Sequence, residues 1–318
     1  MPQLSEIDTK KRVLSILFFF TAAVIIKAQP DGIFEMNRVM WGYSHIIFND
    51  TNPQDANAAI FMWTDEIRKN VYLDFKKKID LFPYIFYSTD EMVKSLNENK
   101  VDIVALSIVD YFTLKDKFSL VPSLAGVINT SPYTHYVLIV KKDSGINSLK
   151  DLRGKILSQP KNEYNPLINI WISSLLEKRF GMDRDAFFKQ VKIEEKNPNA
   201  VYSVFFEKSD CAIVQQDLFS TLSILNPQVS GSIKILESSP GVITFLTAYK
   251  KKSESKVKDL LTWLASNVHK SHEGQNILKI FKVNRLAEIT DKDLVSTKIL
   301  IDEYKNGVSK REKMKRRK

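Results

Sequence analysis

The chain has 318 residues, 44% of them apolar and 11% aromatic, which is enough to bury the cores of about two domains of ~100–200 residues each. Its formal charge of +10 sits mostly at the ends: residues 1–28 carry +2 and residues 310–318 carry +6, leaving +2 on the long middle. A middle so nearly balanced has no basic stripe to track phosphates, which excludes an evident nucleic-acid binder, and the single cysteine, Cys211, excludes an intrachain disulfide.

The first feature in chain order is "KKRVLSILFFFTAAVIIKAQPDG". Basic Lys10, Lys11 and Arg12 precede a 14-residue apolar run from Val13 to Ile26, then Lys27-Ala28 and a turn-forming Pro30-Asp31-Gly32. The run is shorter than the ~18–20 apolar residues of a membrane-spanning helix and fits an export signal over residues 1–28, cut after Ala28. Lys27 and bulky Ile26 make the cleavage motif imperfect, so an uncleaved anchor stays open as the alternative. No cysteine stands at the boundary to carry a lipid. The body is expected outside the cytoplasm, in the periplasm.

Beyond the signal, strands and helices alternate. Strand 38–48 leads to a helix over 52–71, where Ala56, Ala59, Ile60, Trp63 and Ile67 recur at helical spacing behind an Asn52-Pro53 start. A strand over 78–88, a short helix capped by Thr89, the apolar strand "VDIVALS" (101–107) and a helix from Ile108 follow. This order predicts a mostly parallel sheet covered by helices on both faces. The segment "THYVLIVKKDSGINSLKDLRGKIL" (134–157) then reads as a strand that crosses into a second lobe. There the pattern repeats through helix 165–181, strand "VKIEEK", helix "NAVYSVFFE", strand "DCAIVQ", helix "QDLFSTLSILN" and strand "IKILES". The long apolar strand "GVITFLTAYKKK" (241–252) returns the chain to the first lobe, and helices with a break at "KVNRLAEIT" close it. Two α/β lobes joined by two strands leave a cleft at the strand ends, where such folds place ligands.

These segments resemble the PhnD-like phosphate/phosphite/phosphonate-type periplasmic substrate-binding proteins of ABC transporters. The resemblance is carried by "NPQDANAAIFMWTDEI", "VDIVALSIVDYF", "YVLIVKKDSGINSLKDLRGK", "DCAIVQQDLFSTLSILNP" and "EGQNILKIFKVNRLAEITDKDL", and spans residues 38–305. It implies a two-lobed type II periplasmic-binding fold, with 29–134 plus 245–305 as lobe 1, 135–244 as lobe 2 and 306–318 as a basic C-terminal tail. It also implies a monomer that closes on a small-molecule ligand and hands it to an ABC permease of the inner membrane. A ligand-sensing module that signals to a membrane receptor or kinase is the alternative output. The anion turn of the family departs here. "QPKNEYNPL" puts Asn162, Glu163, Tyr164 and Asn165 where the family carries a hydroxyl-rich turn, Asn197 stands near an assisting histidine, and Val242 and Ile243 replace an aspartate. Asn, Tyr and Gln suit a small polar or amphipathic organic ligand as well as an oxyanion.

Seven residues are expected at the ligand: Tyr43 after the first strand, Ser107 at the end of the third, Thr134 at the crossover, Asn162 and Tyr164 at the helix start of lobe 2, Asn197, and Gln215 at the end of "CAIVQ". Each has a plain structural counterpart, a surface aromatic for Tyr43 and N-capping for Ser107. His45, His135 and Gln216 neighbour them. His269 and His272 share helical spacing but lack a third ligand, so no metal, no cofactor and no catalytic group is expected. Walker-type, HExxH and GxSxG motifs are absent.

Overall fold

A computed structural model describes residues 38–48, 52–161 and 166–315. The export segment 1–28, Asn162 and Tyr164 lie outside the described residues. Lobe 1 begins β1 (Arg38–Ser44), α1 (Pro53–Phe75), β2 (Asp80–Phe86), α2 (Thr89–Asn97), β3 (Ile103–Ser107), α3 (Ile108–Phe118) and β4 (Leu120–Val127). Lobe 2 follows as β5 (Tyr136–Lys141), β6 (Ile156–Pro160), α4 (Leu167–Phe180), α5 (Arg184–Phe187), β7 (Gln190–Glu194), α6 (Asn197–Phe205), β8 (Cys211–Gln215), α7 (Gln216–Leu225), α8 (Pro227–Ser232) and β9 (Ile233–Ser238). The chain returns through β10 (Phe245–Lys250), α9 (Glu254–Asn267), α10 (His272–Ile280), β11 (Arg285–Glu288) and α11 (Val295–Lys315).

Local chemistry explains the long first helix. Asn52 accepts from the backbone N–H groups of Gln54 and Asp55 at 3.0 and 2.9 Å, and Pro53 opens the helix with its φ already set. Ala56, Ala59, Ile60, Trp63, Ile67 and Val71 are buried on one face, and Lys76 ends the helix in the left-handed region at φ 55°. The cap of α2 is Ser88, not Thr89: its hydroxyl accepts from Glu91 N at 3.1 Å.

The lobe 1 sheet runs β11-β4-β10-β3-β1-β2 and the lobe 2 sheet β7-β6-β8-β5-β9. Both have the expected parallel heart, β3-β1-β2 and β7-β6-β8. Both are mixed, because the strand that enters each lobe from the other runs antiparallel to its neighbours: β5 beside β8 and β9, β10 beside β3 and β4. The direction follows from where the chain arrives. Tyr136 pairs with Gln215 and Phe245 with Ser107, so each entering strand starts at the carboxyl ends of its neighbours and runs away from the cleft. Two strands, β4 and the edge strand β11, occupy stretches the alternation leaves unassigned or as a break, and β10 is shorter than its apolar run.

The crossovers are paired with each other. Thr134 N donates to Val242 O at 2.8 Å and Val242 N to Thr134 O at 2.9 Å. Tyr136 N donates to Ser239 Oγ at 2.8 Å, and Ser239 N to Tyr136 O at 2.8 Å. A third connection has no counterpart in the sequence reading, which ends lobe 1 at 305 and leaves 306–318 as a tail. Instead α11 leaves lobe 1 beside the second crossover, where Ile243 N donates to Thr297 Oγ1 at 3.0 Å. It continues to Lys315 against α4 of lobe 2, with a Lys178–Glu303 pair at 3.2 Å and Arg311 paired to Glu177. The apolar stripe of "VSTKILIDEY" has to be covered, and α4 covers it. Among the described residues no helix is long and apolar enough to cross a membrane.

Candidate functional site

A cavity of about 410 Å³ opens between the lobes. Lobe 1 contributes residues of β1, β3, β4, β10 and α10, the first crossover contributes Ser131 to Thr134, and lobe 2 contributes Pro160, Lys161, Asn197 and Gln215. Its position follows from topology: β3 and β8 both end at the cleft, and the two entering strands begin there.

Four of the seven expected residues meet on its wall. Tyr43, the sixth residue of β1, is buried at 3% exposure and borders the cavity. Its hydroxyl has no hydrogen-bond partner, and burial pushes its pKa well above the ordinary phenol value. The Trp63 side chain beside it acts in the opposite sense without reaching hydrogen-bond geometry. Thr134 is half-buried at the crossover ladder, Gln215 is half-buried as the last residue of β8, and Asn197 is exposed in the first turn of α6.

Ser107 does not line the cavity. Its hydroxyl is committed to α3, accepting from Asp110 N at 3.0 Å and donating to Asp110 Oδ2 at 2.8 Å, which is the capping role. His45 contacts Phe86 O through Nδ1 at 3.1 Å, and His135 contacts Ser239 O through Nδ1 at 3.2 Å. Neither borders the cavity. Val242 and Ile243, at the aspartate position of the family, are buried core residues. Among the described residues no group of three or more His, Cys, Asp or Glu side chains is placed to hold a metal ion.

Of the floor of the cavity only Tyr43 is expected from sequence. Trp41, Tyr43, Phe48, Phe281 and Trp63 form a closed circuit of ring contacts, with centroids 5.3, 6.5, 5.6, 5.9 and 6.4 Å apart in turn. All five border the cavity. A signal was present for two of them: alternation along β1 puts Trp41 and Tyr43 on one face of the sheet. Gly126 lets the wall close, since a Cβ there would stand 2.5 Å from Val283 Cγ1.

Among the described residues that line the cavity there is no carboxylate, and the charged ones are Lys161 and Lys282. Lys161 also lies 3.7 Å from Glu195 at the surface. Hydroxyls of Ser131, Thr134, Thr244 and Thr247 and the amides of Asn197 and Gln215 supply donors and acceptors. Tyr133 adds a phenol whose pKa is raised by burial and by Asp293, 3.5 Å from its hydroxyl.

A model of the family described as "ABC transporter, phosphonate, periplasmic substrate-binding protein" matches residues 47–294. The chain belongs to this family. Solved structures agree on the fold. A Xanthomonas citri protein bound to chloride ion superposes with a TM-score of 0.62 at 13% identity, covering 86% of this chain and 99% of that one. A binding protein component of an ABC phosphonate transporter from Pseudomonas aeruginosa gives 0.54 at 14% identity, covering 86% and 88%. PhnD1 from Prochlorococcus marinus, in complex with methylphosphonate, gives 0.54 at 13% identity, covering 86% and 99%. A curated relative, 4,5-dihydroxyphthalate decarboxylase of Comamonas testosteroni, is 34% identical over 82 residues, which are 26% of this chain; the match spans about a quarter, 24%, of that protein's length. The two-lobed type II periplasmic-binding architecture is thus that of a periplasmic substrate-binding family serving transport rather than catalysis.

Proposed function

We propose that this protein captures a small organic anion between its lobes and delivers it to the permease of an ABC importer. The observation that carries the reading is the cavity itself. It is walled by both lobes at the point where the crossovers pair, so a bound molecule touches Tyr133 and Thr247 on one side and Asn197 and Gln215 on the other. A ligand held by both lobes favours the closed population by its extra affinity for that state. The sign of the charge comes from the two lysines and the lack of carboxylates among the described lining residues. The family supplies the transport context, and phosphonates or sulfonates are the head groups it suggests.

Export by residues 1–28, cleavage after Ala28 and action as a monomer complete the reading. Intact mass of the secreted protein tests the cleavage. Calorimetry and thermal shift with phosphonates, sulfonates and carboxylates test capture, because binding only the native state must raise the melting temperature. Gln215→Ala and Asn197→Ala are expected to weaken binding about 2–12-fold each, the range for losing a neutral hydrogen bond. An unchanged melting temperature with every anion, and scattering curves insensitive to all of them, would refute capture.

A further inference from the structure

We propose that the lobe 1 end of the cavity is a subsite for a ring, so that the ligand is an organic oxyanion with an aromatic body rather than an inorganic or methyl-bearing one. This rests on the capture reading and specifies the ligand it needs. Three features of the site point the same way.

The first is size. At about 410 Å³ the cavity lies in the ~300–1,000 Å³ range of pockets that hold drug-sized organic molecules, and a tetrahedral oxyanion alone fills little of it. The second is where the rings are. All five members of the aromatic circuit line the lobe 1 side, beside Thr244, Thr247 and Lys282, whereas the described residues of lobe 2 present no ring, only Lys161, Asn197 and Gln215 with Pro160, Ile168 and Leu218. A ring is received on the lobe 1 side. The third is that the circuit is more than a packed core. A core built only for packing would use Phe or Leu, yet Trp41 and Tyr43, at 2% and 3% exposure, bury an indole N–H and a phenol hydroxyl without partners. Buried polar groups without partners are rare and call for an explanation. Both border the cavity, two residues apart on one face of β1. Aromatic walls favour ring ligands through offset and edge-to-face contacts.

The test compares matched pairs on the full mature protein by calorimetry: phenylphosphonate against methylphosphonate, benzenesulfonate against methanesulfonate, and benzoate against acetate. The expected result is at least tenfold tighter binding of the ring member of the pair whose head group is accepted, with quenching of tryptophan fluorescence. Filling the subsite with Ala105→Leu, or with Thr247→Leu should the first variant fold poorly, is expected to bring the ring-to-methyl ratio near one. Equal affinity within every accepted pair, or a ratio that survives both filling variants, would overturn the ring subsite and leave capture standing. Failure of all six anions to bind would overturn both.

Discussion

Replacing Tyr43 by Phe removes one oxygen from the floor of the cavity, and the sign of its effect separates two accounts of that floor. The Tyr43 hydroxyl is buried and has no partner within hydrogen-bond geometry. An unsatisfied buried hydroxyl costs about 1–3 kcal/mol, so Tyr43→Phe is expected to stabilise the ligand-free protein by about that much. For a chain of this size 1 kcal/mol moves the melting temperature by roughly 2 °C, giving a rise of about 2–6 °C. Had the hydroxyl a partner, the same substitution would lose about 0.5–1.5 kcal/mol and lower the melting temperature. The two outcomes differ in sign, which calorimetric unfolding resolves. A melting temperature that falls on Tyr43→Phe would refute the argument and show that the hydroxyl has a partner in solution. The same result would weaken the case that this floor is shaped for a ligand rather than for packing.

Three further outcomes concern the frame around the site. Asp102 accepts from Met40 N at 3.0 Å, Ser253 Oγ at 3.0 Å and Lys256 Nζ at 2.8 Å, with both charged side chains largely buried. Asp102→Ala is therefore expected to cost about 3–5 kcal/mol in urea unfolding, with ligand affinity unchanged because Asp102 lies at the end of β3 remote from the cavity. Arg311→Ala leaves Glu177 without its cation at the α4–α11 contact, where the two side chains are 12% and 20% exposed; a loss of about 2–4 kcal/mol is expected, together with faster amide exchange in α11. A basic end that was only a solvated tail would show neither. Burial and the neighbouring Glu254 push Tyr249 up to about 12. A raised folded pKa contributes stability that is complete below the unfolded value of 10.0 and is lost as pH climbs towards 12, so alkaline unfolding is expected to be shallower in Tyr249→Phe. Identical slopes between pH 10 and 12 in the two proteins would count against this.

Much of the fold was legible in local pattern. The helical spacing of Ala56, Ile60, Trp63 and Ile67, the Asn52-Pro53 start and the apolar run 101–107 each report how a segment buries one face or two, and such burial is local enough to read. Thr134 and Gln215 line the cavity, as expected of residues where strands meet a cleft, and Asn197, expected there from the family resemblance, lines it too. Ser107 was misplaced by the same rule: a serine at a strand end that opens a helix is pulled into capping by the free N–H groups beneath it.

What the sequence by itself determined is the alternation of strand and helix, the division into two halves and the pair of crossovers. All of these depend on the period of apolar residues and on turn chemistry within a few positions. Only the tertiary structure decided that the entering strands run antiparallel, that α11 returns to lobe 2, and that residues 41, 63 and 281 share one wall. Periodicity says that a face must be covered but carries no information about which distant face covers it. The cavity belongs to that second class, because its shape is set by contacts between segments more than two hundred residues apart.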